Sequence, residues 1–209
     1  LFSGEDALID RYLSEISTDL MKSLVIEHNY LLLNELSQRG RLEEIEKILH
    51  YPIHDRSKIK DLLEPSDFQS FNFNAARYGQ LALLEYLITQ FSDKNKINTI
   101  DSDIYHTIKY AAEDGHLEVI NYLITQLYSK AKISAIKTAI RYAAKNGHLE
   151  VIKHFESQLS PEDKISAIKK FNYAAIQFAA KRGHLKIIKY FESKLSDEDK
   201  INAIKVANY

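Results

Sequence analysis

A short register that recurs along the chain restricts its fold more than any other feature. Ala75-Ala76-Arg77-Tyr78-Gly79-Gln80-Leu81, Ala111-Ala112-Glu113-Asp114-Gly115-His116-Leu117, Ala143-Ala144-Lys145-Asn146-Gly147-His148-Leu149 and Ala179-Ala180-Lys181-Arg182-Gly183-His184-Leu185 align without gaps. Leu36-Ser37-Gln38-Arg39-Gly40-Arg41-Leu42 is a degenerate fifth copy. The glycines fall at 40, 79, 115, 147 and 183, spaced by 39, 36, 32 and 36. A second element, Lys96-Ile97, Lys132-Ile133, Lys164-Ile165 and Lys200-Ile201, recurs 36, 32 and 36 apart. Two motifs in one cadence mean a repeat, and a repeat of this length means small stacked units.

Each unit reads as helix, tight turn, helix. The Ala-Ala pair removes side-chain bulk where two helices approach, and the glycine suits the left-handed position that ends a helix without a Cβ clash. An apolar stripe at helical spacing follows each turn: Leu117, Ile120, Leu123, Ile124, Leu127, then Leu149, Ile152, Phe155, Leu159. A lone hairpin cannot cover that stripe, so neighbours must stack. The expected fold is all-α, a right-handed-stacked helix-turn-helix solenoid.

Residues 1–65 are less regular and read as an N-terminal helical cap carrying the degenerate repeat, and residues 66–209 as the repeat array, truncated at the C-terminus. Within the cap, Ser3 to about Ser17 and Asp19 to about Gln38 read as helices, Tyr51-Pro52-Ile53-His54-Asp55 as a break, and Ser57 to Glu64 as a short helix ended by Pro65. Leu1–Ser17 reads alternatively as the tail of an upstream domain. The chain opens on Leu1 and stops in mid-pattern at Tyr209, which reads as a fragment.

The string A-A-x-x-G-H-L-E-V-I-x-Y-L, present as Ala111 to Leu123, resembles the ankyrin repeat, and the resemblance extends over about residues 30–209. The first half of that family's pattern is missing. Where its T-P-L-H signature belongs stand His106-Thr107-Ile108-Lys109, Thr138-Ala139-Ile140-Arg141 and Ala174-Ala175-Ile176-Gln177, and the turn of its β-hairpin is absent. Helix-start chemistry replaces it: Ser160-Pro161-Glu162-Asp163 supplies an N-cap serine, a proline at N1 and acids in the first turn, and Ser196-Asp197-Glu198-Asp199 is similar. Nothing between Pro161 and Gly183 breaks a helix, so one helix of about 20 residues is expected there, an extended first helix in place of the hairpin finger.

The resemblance implies a protein–protein interaction scaffold that performs no chemistry and needs no cofactor. It also implies that the two variable residues between Ala-Ala and Gly project onto the concave, partner-binding face: Gln38 and Arg39, Arg77 and Tyr78, Glu113 and Asp114, Lys145 and Asn146, Lys181 and Arg182. Arg77, Tyr78 and Arg182 are the expected anchors, because Tyr and Arg dominate interface hot spots. The Lys/Ile/Asn-rich form of the repeat is similar to repeats of intracellular bacterial effectors and large DNA viruses. That implies a cytoplasmic protein, or one secreted into a host cytosol to engage host proteins.

Composition and motif searches remove most other function classes. The chain has no cysteine, so disulfides, thiolate catalysis and cysteine-based zinc sites are excluded. Its 6 Gly and 3 Pro are too few for an all-β protein, and no apolar run approaches the roughly 18–20 residues of a membrane span. His116, His148 and His184 hold matching positions, but equivalent residues on stacked helices lie about 10 Å apart, too far to share one ion. The resemblance gives them as structural residues of the turn. Asp101-Ser102-Asp103 has a metal-motif look, yet lacks the glycine and closing glutamate of a calcium loop and is expected to cap the next helix. Glu113-Asp114 implies no cleft, and no nucleotide-binding glycine loop, zinc motif or nucleophile elbow occurs.

Charge is uneven. Residues 1–129 hold 12 basic and 21 acidic residues, a net of −9, and residues 130–209 hold 16 and 8, a net of +8. Such a dipole favours an acidic partner toward the C-terminal end; the alternative is solvated helix faces that differ in lysine content. Three functions follow in order: a protein-binding scaffold, the targeting or substrate-recognition part of a larger enzyme, and, disfavoured by the overall net of −1, nucleic-acid binding by the basic half.

Overall fold

The computed structural model describes residues 11, 31–50, 65–91, 97–127 and 129–207. Among these residues there are eleven helices and no strand. In chain order they are α1 (Leu31–Arg39), α2 (Leu42–Leu49), α3 (Pro65–Arg77), α4 (Leu81–Phe91), α5 (Ile97–Glu113), α6 (Leu117–Thr125), α7 (Ser129–Asn146), α8 (Leu149–Glu156), α9 (Pro161–Lys181), α10 (Leu185–Glu192) and α11 (Asp197–Ala207). No helix among the described residues is long and apolar enough to cross a membrane. The expected helix from Ser3 to Ser17, the break at Tyr51–Asp55 and the helix from Ser57 to Glu64 lie outside the described residues, Arg11 apart.

The chain divides into two compact units, Leu1–Ala75 with Ala82–Phe91, and Ala76–Leu81 with Ser92–Tyr209. In the first, Leu33, Leu36, Ile45, Ile48 and Leu49 are buried with Phe68, Phe71, Leu83, Leu84 and Leu87. Phe68 and Phe71 meet edge to face at 5.9 Å, and Asn74 Nδ2 donates to Asn34 Oδ1 at 2.9 Å. Glu44 is buried beside Arg41, whose guanidinium hydrogen bonds hold its carboxyl below the usual range.

The second unit is the regular one. Long first helices (α5, α7, α9) alternate with short second helices (α6, α8, α10), as the all-α helical repeat requires. On α6 the buried face is Val119, Ile120, Leu123 and Ile124; on α8 it is Val151, Ile152 and Phe155. Burying each such side chain contributes roughly 1.5–3 kcal/mol. Ala111, Ala112, Ala143 and Ala144 have no exposed surface, so the small pairs lie where helices press together.

Helix starts follow the capping chemistry. Ser160 Oγ accepts from the Asp163 amide at 3.1 Å with Pro161 at N1, and Ser196 Oγ accepts from the Asp199 amide at 3.2 Å. The first helix after Ser160 runs for 21 residues, and only Ser157–Ser160 separate it from α8. One expectation is corrected. Asp101-Ser102-Asp103 does not begin the helix; it lies inside α5, which already includes Ile97. Apolar residues at helical spacing from Ile97 through Ile100, Ile104 and Ile108 carry the helix through a segment whose Asp and Ser side chains alone favour a cap.

Candidate partner-binding surface

The turns set the geometry of this surface. Gly115 adopts φ 82, closing α5 with the His116 amide donating to the Ala111 carbonyl at 2.9 Å. The Leu117 amide then donates to the Gly115 carbonyl at 3.0 Å, and α6 begins at once. The same bond recurs as His148 to Ala143 at 3.0 Å and His184 to Ala179 at 2.8 Å.

The histidine of each turn binds the turn before it. His116 Nε2 lies 2.8 Å from the Arg77 carbonyl oxygen, His148 Nε2 2.8 Å from that of Glu113, and His184 Nε2 3.0 Å from that of Lys145. A carbonyl only accepts, so Nε2 carries the proton in each case. The ring also covers the preceding glycine: a Cβ on Gly79 would stand 2.6 Å from His116 Nδ1, and one on Gly115 2.6 Å from His148 Nδ1. The histidines are therefore stacking residues, as the resemblance implies, and the glycines answer both to the backbone and to the next repeat.

The variable turn residues divide into two sets. Arg77, Tyr78, Asp114, Lys181 and Arg182 are exposed, Tyr78 to 47%. Arg77 Nε lies 3.6 Å from Asp114 Oδ2, so this exposed pair links successive turns. Lys145 and Asn146 are half-buried and bond to Glu113 instead. Glu113 is buried, which corrects the expectation that every rung projects outward. Its carboxylate accepts from Lys145 Nζ at 2.9 Å, and its carbonyl accepts from Asn146 Nδ2 at 2.6 Å as well as from His148. In the first unit Gln38 is half-buried, and exposed Arg39 pairs with Glu35 at 2.9 Å.

The sequence reading missed a file of rings directly before the Ala-Ala pairs. Tyr110, Tyr142 and Phe178 occupy that position in successive repeats and are half-buried. Tyr142 and Phe178 stack at 6.3 Å. Cations interleave with them: Arg77 lies 5.3 Å from the Tyr110 ring, Lys109 5.2 Å from Tyr110 and 5.4 Å from Tyr142, and Arg141 4.6 Å from Tyr142. Each such contact is worth about 0.5–1 kcal/mol where exposed. The signal was present as a recurring aromatic one place ahead of the aligned register.

Comparison with known proteins agrees with this geometry. Residues 72–155 match the family model for ankyrin repeats, in three copies. No curated protein matches the chain. Ankyrin repeats form protein–protein interaction modules.

Proposed function

We propose that this chain, whose residues 72–155 are ankyrin repeats, binds a partner protein through the exposed rungs of the turn ladder in its second unit. One observation carries the reading. The atoms that hold the repeats together (the glycines, the histidine rings and the carbonyls they bind) recur from turn to turn, whereas the exposed side chains beside them change from Arg77-Tyr78 to Asp114 to Lys181-Arg182. A constant frame with varied rungs suits recognition of an extended, non-repeating surface. Arg77 and Tyr78 supply the anchors at one end, and Lys181 and Arg182 supply positive charge at the other.

Glu113, Lys145 and Asn146 serve this reading as positioning residues that fix the spacing of the rungs, and Gln38 and Arg39 hold the corresponding turn positions of the degenerate repeat within the first unit. The partner is acidic where it meets residues 130–209, whose net charge is +8. Similarity to effector repeats makes a host-cell lysate the first source to try.

Reversing Lys181 and Arg182 to Glu should lower partner capture about tenfold, since removing two attractive charges and adding two repulsive ones exceeds about 1.4 kcal/mol. The thermal midpoint should scarcely move, because both residues are exposed. Quantitative mass spectrometry of lysate pull-downs with wild-type and variant baits measures this. Identical captured proteins at identical yield would remove the ladder as the contact.

A further inference from the structure

Lys137, Lys169 and Lys205 hold one repeat position, spaced by 32 and 36 residues. The first two reach forward to a first-turn aspartate on the next long helix: Lys137 Nζ lies 2.7 Å from Asp163 Oδ1, and Lys169 Nζ 2.8 Å from Asp199 Oδ1. The isoleucine one place earlier shows the same progression. Ile136 and Ile168 are 5% and 1% exposed, each on a helix packed against the next long helix, whereas Ile204 is 52% exposed. Among the described residues no helix follows α11.

Two faces of α11 are distinct. Toward α9 it turns Asp199, bound by Lys169 and Tyr173, and Ala203, which is buried; four residues apart, they share one side of the helix. On the other side Glu198, Ile201, Ile204 and Lys205 are all exposed, Ile201 to 54%. Their spacing sets them along one stripe, with an acid in the first turn, two isoleucines in the middle and a lysine in the last turn. Such a stripe is its own complement when turned end for end. Against a second α11 running the opposite way, Ile201 of each copy meets Ile204 of the other, and Glu198 of each faces Lys205 of the other. A parallel pairing would set Glu198 on Glu198 and Lys205 on Lys205 instead. The antiparallel contact gives Lys205 what Lys137 and Lys169 already have, a first-turn acid on a neighbouring long helix.

We propose that the exposed face of α11 docks a second copy of this chain across a two-fold axis, with Ile201 and Ile204 at the centre of the contact and two Glu198–Lys205 pairs at its rim. The assembly closes at two copies, because an isologous contact uses the same patch on both. Two isoleucines from each copy make a small apolar centre, so the dimer dissociates on dilution, with a Kd on the order of 100 μM. The inference goes beyond partner capture by the turn ladder, whose rungs take no part in this contact.

Sedimentation velocity of the whole 209-residue chain at rising concentration tests this. The average mass should climb from one copy toward two and stop there. Ile204→Glu should weaken association about tenfold or more by placing a charge at the centre of the contact. The melting midpoint of the dilute variant should scarcely move, because the side chain is exposed. Glu198→Lys and Lys205→Glu should each weaken association about tenfold, since each turns two attractive pairs into two repulsive ones. Combined in one chain they exchange the two charges, and affinity should return to within about twofold of the wild type. If Ile204→Glu disturbs folding, this loss and restoration decide the matter without it. A single copy at every concentration overturns the proposal, as does growth past two copies, which an isologous contact forbids. A dimer indifferent to a folded Ile204→Glu variant, or a double reversal as weak as either single one, overturns it as well.

Discussion

Gly115 and Gly183 occupy the same place in their turns, at φ 82 and φ 74, yet their surroundings differ. A Cβ on Gly115 would stand 2.6 Å from His148 Nδ1, whereas one on Gly183 meets nothing within 4 Å. The contrast continues along the helices: Ile168 is 1% exposed, and Ile204, its equivalent on α11, is 52% exposed. Ala144 has no exposed surface and its counterpart Ala180 is half-buried. A repeated residue thus does two jobs, one for its own backbone and one for the following repeat. At the last described hairpin only the first remains.

Substitution can separate those jobs. The largest difference should come from the isoleucines: Ile168→Ala removes packed methyl groups and should cost about 3 kcal/mol, while Ile204→Ala should cost about 0.5 kcal/mol or less. Urea denaturation of both variants measures the gap, and equal losses would show that the two helices are equally covered. Next come the glycines. Alanine at either Gly115 or Gly183 should cost about 1–2 kcal/mol for the left-handed backbone. Gly115→Ala should lose about 1–2 kcal/mol more, because the His148 ring must leave the Glu113 carbonyl. In a His148→Ala background that excess should vanish, leaving the two glycine positions alike. Persistence of the excess would detach it from the histidine.

Features set within one hairpin were legible in the sequence. Positive φ at the five turn glycines, the Ser160 cap with Pro161 at N1, and the long uninterrupted α9 all follow from residues a few places apart, and all appear. What failed depended on a neighbouring repeat or on competition between local signals. Glu113 looks like a variable surface acid until Lys145 and Asn146, more than 30 residues later, close over it. The file of Tyr110, Tyr142 and Phe178 was not legible because Arg77 reaches the Tyr110 ring from the preceding turn, 33 residues earlier. Asp101-Ser102-Asp103 reads as a helix start because its side chains favour caps, and the apolar spacing around it overrides that preference. The insertion was countable as a spacing of 36 against 32, but not its consequence, a left-handed tyrosine, Tyr173 at φ 61, within α9.

The smallest predicted effect concerns the forward ion pairs. Lys137–Asp163 and Lys169–Asp199 are equivalent, and each aspartate accepts from its capping serine, Asp163 from Ser160 Oγ at 3.2 Å and Asp199 from Ser196 Oγ at 2.9 Å, yet Asp199 also accepts from Tyr173 Oη at 2.7 Å. The Lys169 hydrogen bond, followed by that of Tyr173, lowers the Asp199 carboxyl from its ordinary value of 3.8 to about 2. Burial, with the bond to Asp199, raises the Tyr173 hydroxyl to about 12. Because the aspartate pKa is depressed on folding, its contribution is complete above the unfolded value and is lost as pH falls from about 4 toward 2. Asp199→Asn should therefore flatten the acid limb of the stability curve in that window, with little change in its slope near neutrality. Asp163→Asn should flatten it less, since the Asp163 carboxyl is held by Lys137 and Ser160 alone among its hydrogen-bonding side chains. Urea midpoints of the two variants between about pH 2 and 5 compare the pairs; acid limbs of equal slope would mean that the extra bond from Tyr173 adds nothing to the ion pair.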